Sequence, residues 1–227
     1  MIRCLLAFAA IACGFLACQS PQTSAVSPKY GFKKINAYVR YLAMRKELYG
    51  EITFRTDSTR QLNGQVTLNE KPLVFHRRPK VGLQYAGTRQ AADFEATQTF
   101  SYTEKDGSRQ NVSITLPVFD SVALLSQGVL SKQTGGLLGW QGASFDKKDG
   151  LVLLFTDAEG QTFSVNHTGK TNGTQYQILP TVAQRLAEGP GRLEITRKRI
   201  EISQLDSLTQ WATIEYYCPP ISFNVQP

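Results

Sequence analysis

The chain has 227 residues, 41% of them hydrophobic, enough apolar side chains for one large core or two cores of roughly a hundred residues each. Twenty-five Lys and Arg against 18 Asp and Glu give a net charge of +7, mildly basic and without the long block of like charge that makes a nucleic-acid-binding arm. With two His in the chain a histidine-rich metal cage is excluded, and with three of the four Cys among the first eighteen residues so is a disulfide framework.

Arg3 precedes an apolar run, Leu5 to Ala17, that stops abruptly at Cys18-Gln19-Ser20-Pro21. A basic start, an apolar run of that length and a small residue at the break predict an export signal. The run is too short to cross a bilayer as a helix. A Cys directly after Leu16-Ala17 resembles the lipobox of bacterial lipoproteins, with Phe15 standing where that family usually has Leu. Ala10-Ile11-Ala12-Cys13 is a competing site, disfavoured because it would strand apolar Gly14 to Ala17 in the mature chain. The resemblance implies a cleaved leader over residues 1–17 and acylation of Cys18. With Gln19 rather than Asp after the Cys, it also implies the outer membrane of a Gram-negative bacterium. Each buried methylene contributes about 0.8 kcal/mol, and two or more chains anchor stably where one does not.

Loss of the leader removes Arg3 alone from the charged set and leaves a formal +6, a balance that suits anionic headgroups or lipopolysaccharide phosphates. Cys218 is then the one Cys without a lipid, and its setting between Tyr217 and Pro219 reads as a small packed residue. Residues 18–34 are rich in Pro, Ser, Gln and Thr without periodicity, the composition of a flexible tether.

From Ile35 onward, short alternating runs of Thr, Val, Phe and Tyr with turn residues roughly every 8 to 12 positions predict strands. In one hairpin a three-residue loop, Lys105-Asp106-Gly107, sets Phe100 opposite Val112 and Gln98 opposite Ile114, with Gly107 at the left-handed position. In another, Ala158-Glu159-Gly160 sets Phe155 opposite Phe163, Leu153 opposite Val165 and Leu151 opposite His167. Val152 and Leu154 on its other face predict a central strand. A weaker pair, Gln65 to Leu68 and Leu73 to Phe75, turns at Asn69 to Pro72. The polar stretch between Ser126 and Gly136 suggests a boundary, dividing the chain into residues 35–125 and 126–227. Pro180-Thr181 opens a short helix that Gly189-Pro190-Gly191 ends. Leu193 and Ile195 share one strand phase and Ile200 and Ile202 the other, which predicts a bulge between Arg197 and Ile200. Ile221, Phe223 and Val225 make a last strand. The expected fold is all-β: two tandem immunoglobulin-like β-sandwiches behind a signal peptide and tether. That architecture resembles outer-membrane lipoproteins of Gram-negative bacteria.

Candidate chemistry is sparse. His76 and His167 lack partners at metal-ligand spacing. Gly142-Ala143-Ser144-Phe145-Asp146 begins like a nucleophile elbow but lacks its closing Gly. Asp120 and Glu215 lie beside strand ends, where an acid pair for glycoside hydrolysis would need to be close in space. Asp146-Lys147-Lys148-Asp149-Gly150 reads as a polar turn rather than a calcium loop, because two lysines oppose a divalent cation. Arg197-Lys198-Arg199 and Arg77-Arg78-Pro79-Lys80 read as solvated strand faces. Trp140, Trp211 and Tyr217 are the candidate ligand-binding residues, with Tyr85, Phe145 and Tyr216 nearby in type, since an exposed ring offers a stacking surface to sugars. The sequons at Asn111, Asn166 and Asn172 read as chance matches. Together these features point to a lipid-anchored, non-enzymatic binding or assembly module for a protein or envelope glycan. A structural spacer in an envelope complex is the alternative, and a hydrolase with dispersed acids a more distant one. No cofactor, metal or nucleic-acid partner is expected.

Overall fold

The computed structural model describes residues 32–55, 62, 64–78, 82–104, 106–117, 119–205 and 207–227. Cys18, the leader, the tether up to residue 31 and Pro79-Lys80 lie outside the described residues.

Alternation of apolar and polar side chains drives nearly every element. In chain order the strands are β1 (Lys34–Leu42), β2 (Glu47–Arg55), β3 (Thr67–Leu68), β4 (Lys71–Pro72), β5 (Val74–Arg78), β6 (Gly82–Gln90), β7 (Thr97–Thr103), β8 (Arg109–Thr115) and β9 (Phe119–Leu124). They continue with β10 (Val129–Ser131), β11 (Gly136–Gly142), β12 (Asp149–Thr156), β13 (Thr162–Thr168) and β14 (Gln175–Ile178). One turn of helix, α1 (Pro180–Ala183), precedes β15 (Gly189–Leu205), β16 (Leu208–Tyr217) and β17 (Ile221–Gln226). The fold is all-β, as expected, and layered as two sandwiches that share one sheet.

That shared sheet runs β10-β17-β15-β16-β1-β2-β6-β5, with β12 also paired to β15 and β13 to β12. A β4-β3-β7-β8 sheet covers one part of it and a β14-β11-β9 sheet another. The first core lies under the former, with Phe54, Phe100, Ile52 and Ile114 fully buried. The second lies under the latter, around Leu138, Leu151, Phe155 and Leu193.

Both long hairpins take the expected register: Phe100 faces Val112 and Gln98 faces Ile114, while Leu153 faces Val165 and Leu151 faces His167. Gly107 and Gly160 adopt φ of +87° and +76°, the left-handed conformation a turn requires there. The third hairpin is tighter than expected. Thr67 faces Pro72 and Leu68 faces Lys71 around Asn69-Glu70, both at positive φ, the conformation of a two-residue type I′ turn. The chain then changes layer, and Phe75 pairs with Tyr85 in the shared sheet. Gly189-Pro190-Gly191 does not stop a helix but begins β15, facing Val225, Asn224 and Phe223.

The two cores divide differently from the 35–125 and 126–227 split. Leu116 belongs to the first core and Phe119 to the second, so the crossing lies at Pro117, ahead of the polar stretch. Leu208, Ala212 and Ile214, far along the chain, return to the first core. They do so because β16 pairs in parallel with β1, Lys34 beside Thr209 through Leu42 beside Tyr217. β15 with β16 and β17 therefore forms one long ribbon spanning both sandwiches, interrupted on one side at Cys218 to Pro220, where the Cys218 amide still donates to the Ile195 carbonyl at 2.9 Å.

A ribbon common to both cores makes them unfold together. Phe54→Ala in the first core and Phe155→Ala in the second are each expected to cost about 3–5 kcal/mol. Calorimetry should show one transition shifted downward in both variants; two transitions, each answering to one substitution, would contradict the shared ribbon.

Candidate functional site

Strand β15 places Leu193, Ile195, Arg197 and Arg199 on one buried face. The expected bulge is absent: the pairing runs unbroken from Arg192–Thr156 to Arg199–Asp149 on one side and from Thr196–Tyr217 to Leu205–Leu208 on the other. The core-facing phase simply continues through two arginines, and Ile200 and Ile202 belong to the outer face. The side chain of Arg197 is wholly excluded from solvent, and Arg199 is nearly so. They are not a solvated strand face.

The two guanidiniums sit where the shared sheet passes from one covering layer to the other. There the facing groups are a crossing segment and a loop, whose carbonyls no strand pairs, so an apolar side chain would leave buried acceptors unsatisfied. Arg197 Nη1 donates to the carbonyls of Pro117 and Ala143, each at 3.3 Å, and Nη2 to that of Ser144 at 3.3 Å and to Asp149 Oδ2 at 2.8 Å. Arg199 Nε donates to Asp149 Oδ1 at 2.7 Å, Nη1 to the Thr115 carbonyl at 3.2 Å, and Nη2 to Asp149 Oδ2 and Asp146 Oδ2, each at 3.0 Å. The Arg197 guanidinium lies 4.3 Å from the ring centre of Phe145 and 5.6 Å from that of Phe119, a stacked setting in which guanidinium outperforms ammonium. Two cations face two carboxylates, so the cluster is internally neutral.

Asp149 comes from the stretch expected to be a polar turn. It is instead a fully buried carboxylate directly opposite Arg199, and Asp146 closes the turn beside it through its own amide, 3.0 Å from Asp149 Oδ2. Burial opposes ionisation of Asp149, but donation from Arg199, Arg197 and the Asp146 amide outweighs it and holds the pKa below the ordinary aspartate value. A second buried acid, Asp157, accepts the amides of Ala187, Gln161 and Glu159 at 2.9, 2.9 and 3.0 Å, tying its hairpin turn to the segment after α1. Those amides also lower its pKa, against the effect of burial.

The candidate ligand-binding aromatics do not form one surface. Trp140 is buried, stacked at 5.5 Å on Phe119 and 5.0 Å on Phe145, with its indole N–H donated to the Ala143 carbonyl at 3.0 Å. It braces the loop that Arg197 grips and offers no exposed plane. Phe145 is buried with it, and Tyr216 packs on Tyr41 and Phe94. Trp211 is 38% exposed on the outer face of β16, with Lys34 Nζ 5.1 Å from its ring centre. Tyr217 shares that face six residues away, about 20 Å along the strand. Its hydroxyl and that of Tyr38 both donate to Glu215 Oε2, at 3.0 and 2.8 Å.

Other candidates are dispersed. His76 is exposed on β5, and His167 stacks at 5.2 Å on Tyr176. Asp120 bonds to the Ser121 amide at 2.7 Å, while Glu215 is held by the two tyrosines. Among the described residues no three His, Cys, Asp or Glu side chains converge as metal ligands. Cys218 is buried between a hollow of about 170 Å³ near Phe119 and Ile221 and one of about 270 Å³ near Met44 and Arg192. Burial, and then the charge of Asp120, push its thiol pKa up to about 12, so it remains a protonated packing group.

No family model matches the chain and no curated protein matches it. Among solved structures it aligns with the D0-D1 domain of Intimin at 10% identity, over 84% of this chain and 97% of that one, with a TM-score of 0.24.

Removal of the central carboxylate leaves two buried cations without their counter-charge. Asp149→Asn is expected to cost about 3–5 kcal/mol in urea unfolding at neutral pH. The folded pKa of Asp149 lies below its unfolded value, so its contribution is complete above the ordinary aspartate range and is lost as pH falls through that range toward the folded value. Unfolding followed across the acid limb should therefore show a shallower pH dependence in Asp149→Asn; an unchanged limb would count against the cluster as its source.

Proposed function

We propose that the chain is a non-enzymatic assembly module of the bacterial cell envelope, held by lipid on Cys18 and presenting its second sandwich at a fixed position relative to its first. What carries this reading is the joint: a ribbon common to both sandwiches, sealed at their junction by a neutral cluster of two arginines and two aspartates. The charged groups that converge at this joint are spent on holding carbonyls and each other. The junction thiol is driven toward its protonated form, and the lowered carboxylates of Asp149 and Asp157 are locked by donors. These are the properties of a stiff support. No helix of the described residues is long and apolar enough to cross a membrane, and an acyl anchor at Cys18 supplies attachment without one. The partner in this reading is an envelope protein, because the outer face of the shared sheet groups Tyr38, Tyr49, Tyr217 and Arg40 toward the junction, residue types that dominate protein interfaces.

Two measurements test it. Intact mass of protein extracted from membranes should show a chain beginning at Cys18 and carrying acyl groups; an unmodified start removes the anchor. Affinity capture of the full chain from solubilised envelopes should bring down one envelope protein in a fixed ratio. Capture should weaken at least tenfold in Tyr38→Ala/Tyr49→Ala, a loss of about 1.4 kcal/mol or more. Capture that survives this double substitution removes the interface.

A further inference from the structure

The four central strands of the shared sheet end together at the pole of the first sandwich farthest from the second. β1 starts there at Lys34, β2 finishes at Arg55, β15 finishes at Leu205 and β16 starts at Leu208. The chain enters β1 at this pole, with the Lys33 amide donated to the Arg55 carbonyl at 3.2 Å and the Thr209 amide donated to the Lys33 carbonyl at 3.0 Å. The opposite ends of the same strands, at Leu42, Tyr217 and Thr196, adjoin the second sandwich.

Three of the chain's exposed large hydrophobic side chains gather at this pole. Ile202 and Trp211, 59% and 38% exposed, are a directly opposed cross-strand pair on the outer face. Leu205, 41% exposed, closes the hairpin beyond them. Around them, among the described residues, the charged side chains are basic: Lys34 lies over the Trp211 ring, Arg55 stands directly opposite Lys34, and Lys33 is exposed beside both. An indole with aliphatic neighbours and a basic rim is the composition that settles at an anionic lipid surface. The amphipathic ring sits at headgroup depth, the aliphatic side chains reach below it and the cations meet phosphates.

We propose that this pole docks on the anionic lipid surface in which the chain is anchored, standing the second sandwich away from the membrane. The proposal rests on the anchored reading for its geometry. Residues 19–32 separate Cys18 from Lys33, and fourteen residues span at most about 50 Å even fully extended. Anchored at Cys18, the pole that carries Lys33 is the end of the molecule that must stay close to lipid, and tethering raises its effective concentration there. A second copy of the chain is a poor occupant, since two such poles would set Lys33, Lys34 and Arg55 against their own kind. Each basic side chain near an anionic surface contributes roughly a fivefold gain in binding.

The test uses the full chain extracted from membranes and returned to vesicles of phosphatidylcholine, with or without phosphatidylglycerol, doped with lipid bearing a nitroxide at headgroup depth. The chain has two tryptophans, and Trp140 is buried, so the difference between the native chain and Trp211→Phe reports Trp211. Trp211 emission is expected to be quenched severalfold more in the anionic vesicles, and Lys34→Glu or Ile202→Glu, both on the outer face, should each reduce that quenching severalfold. Equal, weak quenching in both vesicle types overturns the proposal. So does a Trp211 that stays open to aqueous iodide on vesicles and is shielded only when another envelope protein is added. Intact mass on the same preparation reports the anchor separately. An acylated chain with unquenched Trp211 loses the docking and keeps the anchor; an unacylated chain whose Trp211 is quenched loses the anchor and keeps the docking.

Discussion

The whole architecture depends on four charged side chains placed where hydrophobic burial cannot finish the job. A strand that serves two cores must cross the gap between their covering layers. In that gap the facing backbone is irregular and its carbonyls point inward. Leu or Ile there would exclude water from those carbonyls without replacing it, at a cost of about 1–3 kcal/mol for each orphaned acceptor. Arginine answers because its flat fork delivers several donors at fixed angles, whereas a lysine would present one compact charge with rotatable protons. Two guanidiniums side by side would repel, and Asp149 removes the conflict by accepting from both while standing opposite Arg199 in the ladder. The same pairing fixes register. Slipping β15 by one residue against β12 would turn both arginines outward, strand Asp149 in the interior and bring Lys198 into the core.

That joint ties the two sandwiches to each other through a shared sheet rather than through a linker. The crossing at Pro117 is clamped by Arg197 on one side of it and, at Thr115, by Arg199 on the other. The ribbon β15–β16 then carries the constraint back to the start of the fold, because β16 lies in parallel beside β1, about 175 positions earlier. The first sandwich is therefore incomplete until nearly the entire chain is present. Pairings of such long sequence separation close slowly, and a chain emerging from its N-terminus would expose β1 on its unpaired side until β16 arrived. The first core is thus completed late, by strands that also serve the second.

Local alternation made much of the fold legible. Phe100, Val112, Leu153 and Val165 were placeable because each hairpin's apolar phase admits one loop length. Gly107 and Gly160 settled that length by sitting where φ turns positive. The cluster was illegible for the same reason. Reading apolar periodicity assigns arginine to the surface, so the change from Ile195 to Ile200 demanded a bulge, when in fact the buried phase had passed to Arg197 and Arg199. Their partner Asp149 lies some fifty positions earlier in a stretch whose composition is that of a turn, and no short-range pattern links the two. Trp140 was misplaced because a ring near a strand end reads as exposed, whereas here it stacks under the loop that presents Ala143 and Ser144 to Arg197. One signal was available. Two arginines at alternate positions of a strand whose preceding alternate positions are Leu193 and Ile195 already share that strand's core face.

The outer face of the shared sheet has its own order, set by the same pairing. Across β15, β16, β1 and β2 the rows read Ile202, Trp211, Asn36 and Thr53, then Ile200, Thr213, Tyr38 and Glu51, then Lys198, Glu215, Arg40 and Tyr49. Beyond the first of these lie Lys34 and Arg55 at the free pole; toward the junction Glu51 and Glu215 appear, each accepting a tyrosine hydroxyl. Positive charge with apolar surface at one end thus gives way to balanced charge and phenol at the other. Such an ordering has no bearing on either core, since these side chains face outward from both. It has a bearing on orientation: an anionic surface attracts one end of the sheet more strongly than the other, and because the strands of that sheet continue into the second sandwich, the attraction acts on the direction in which both point.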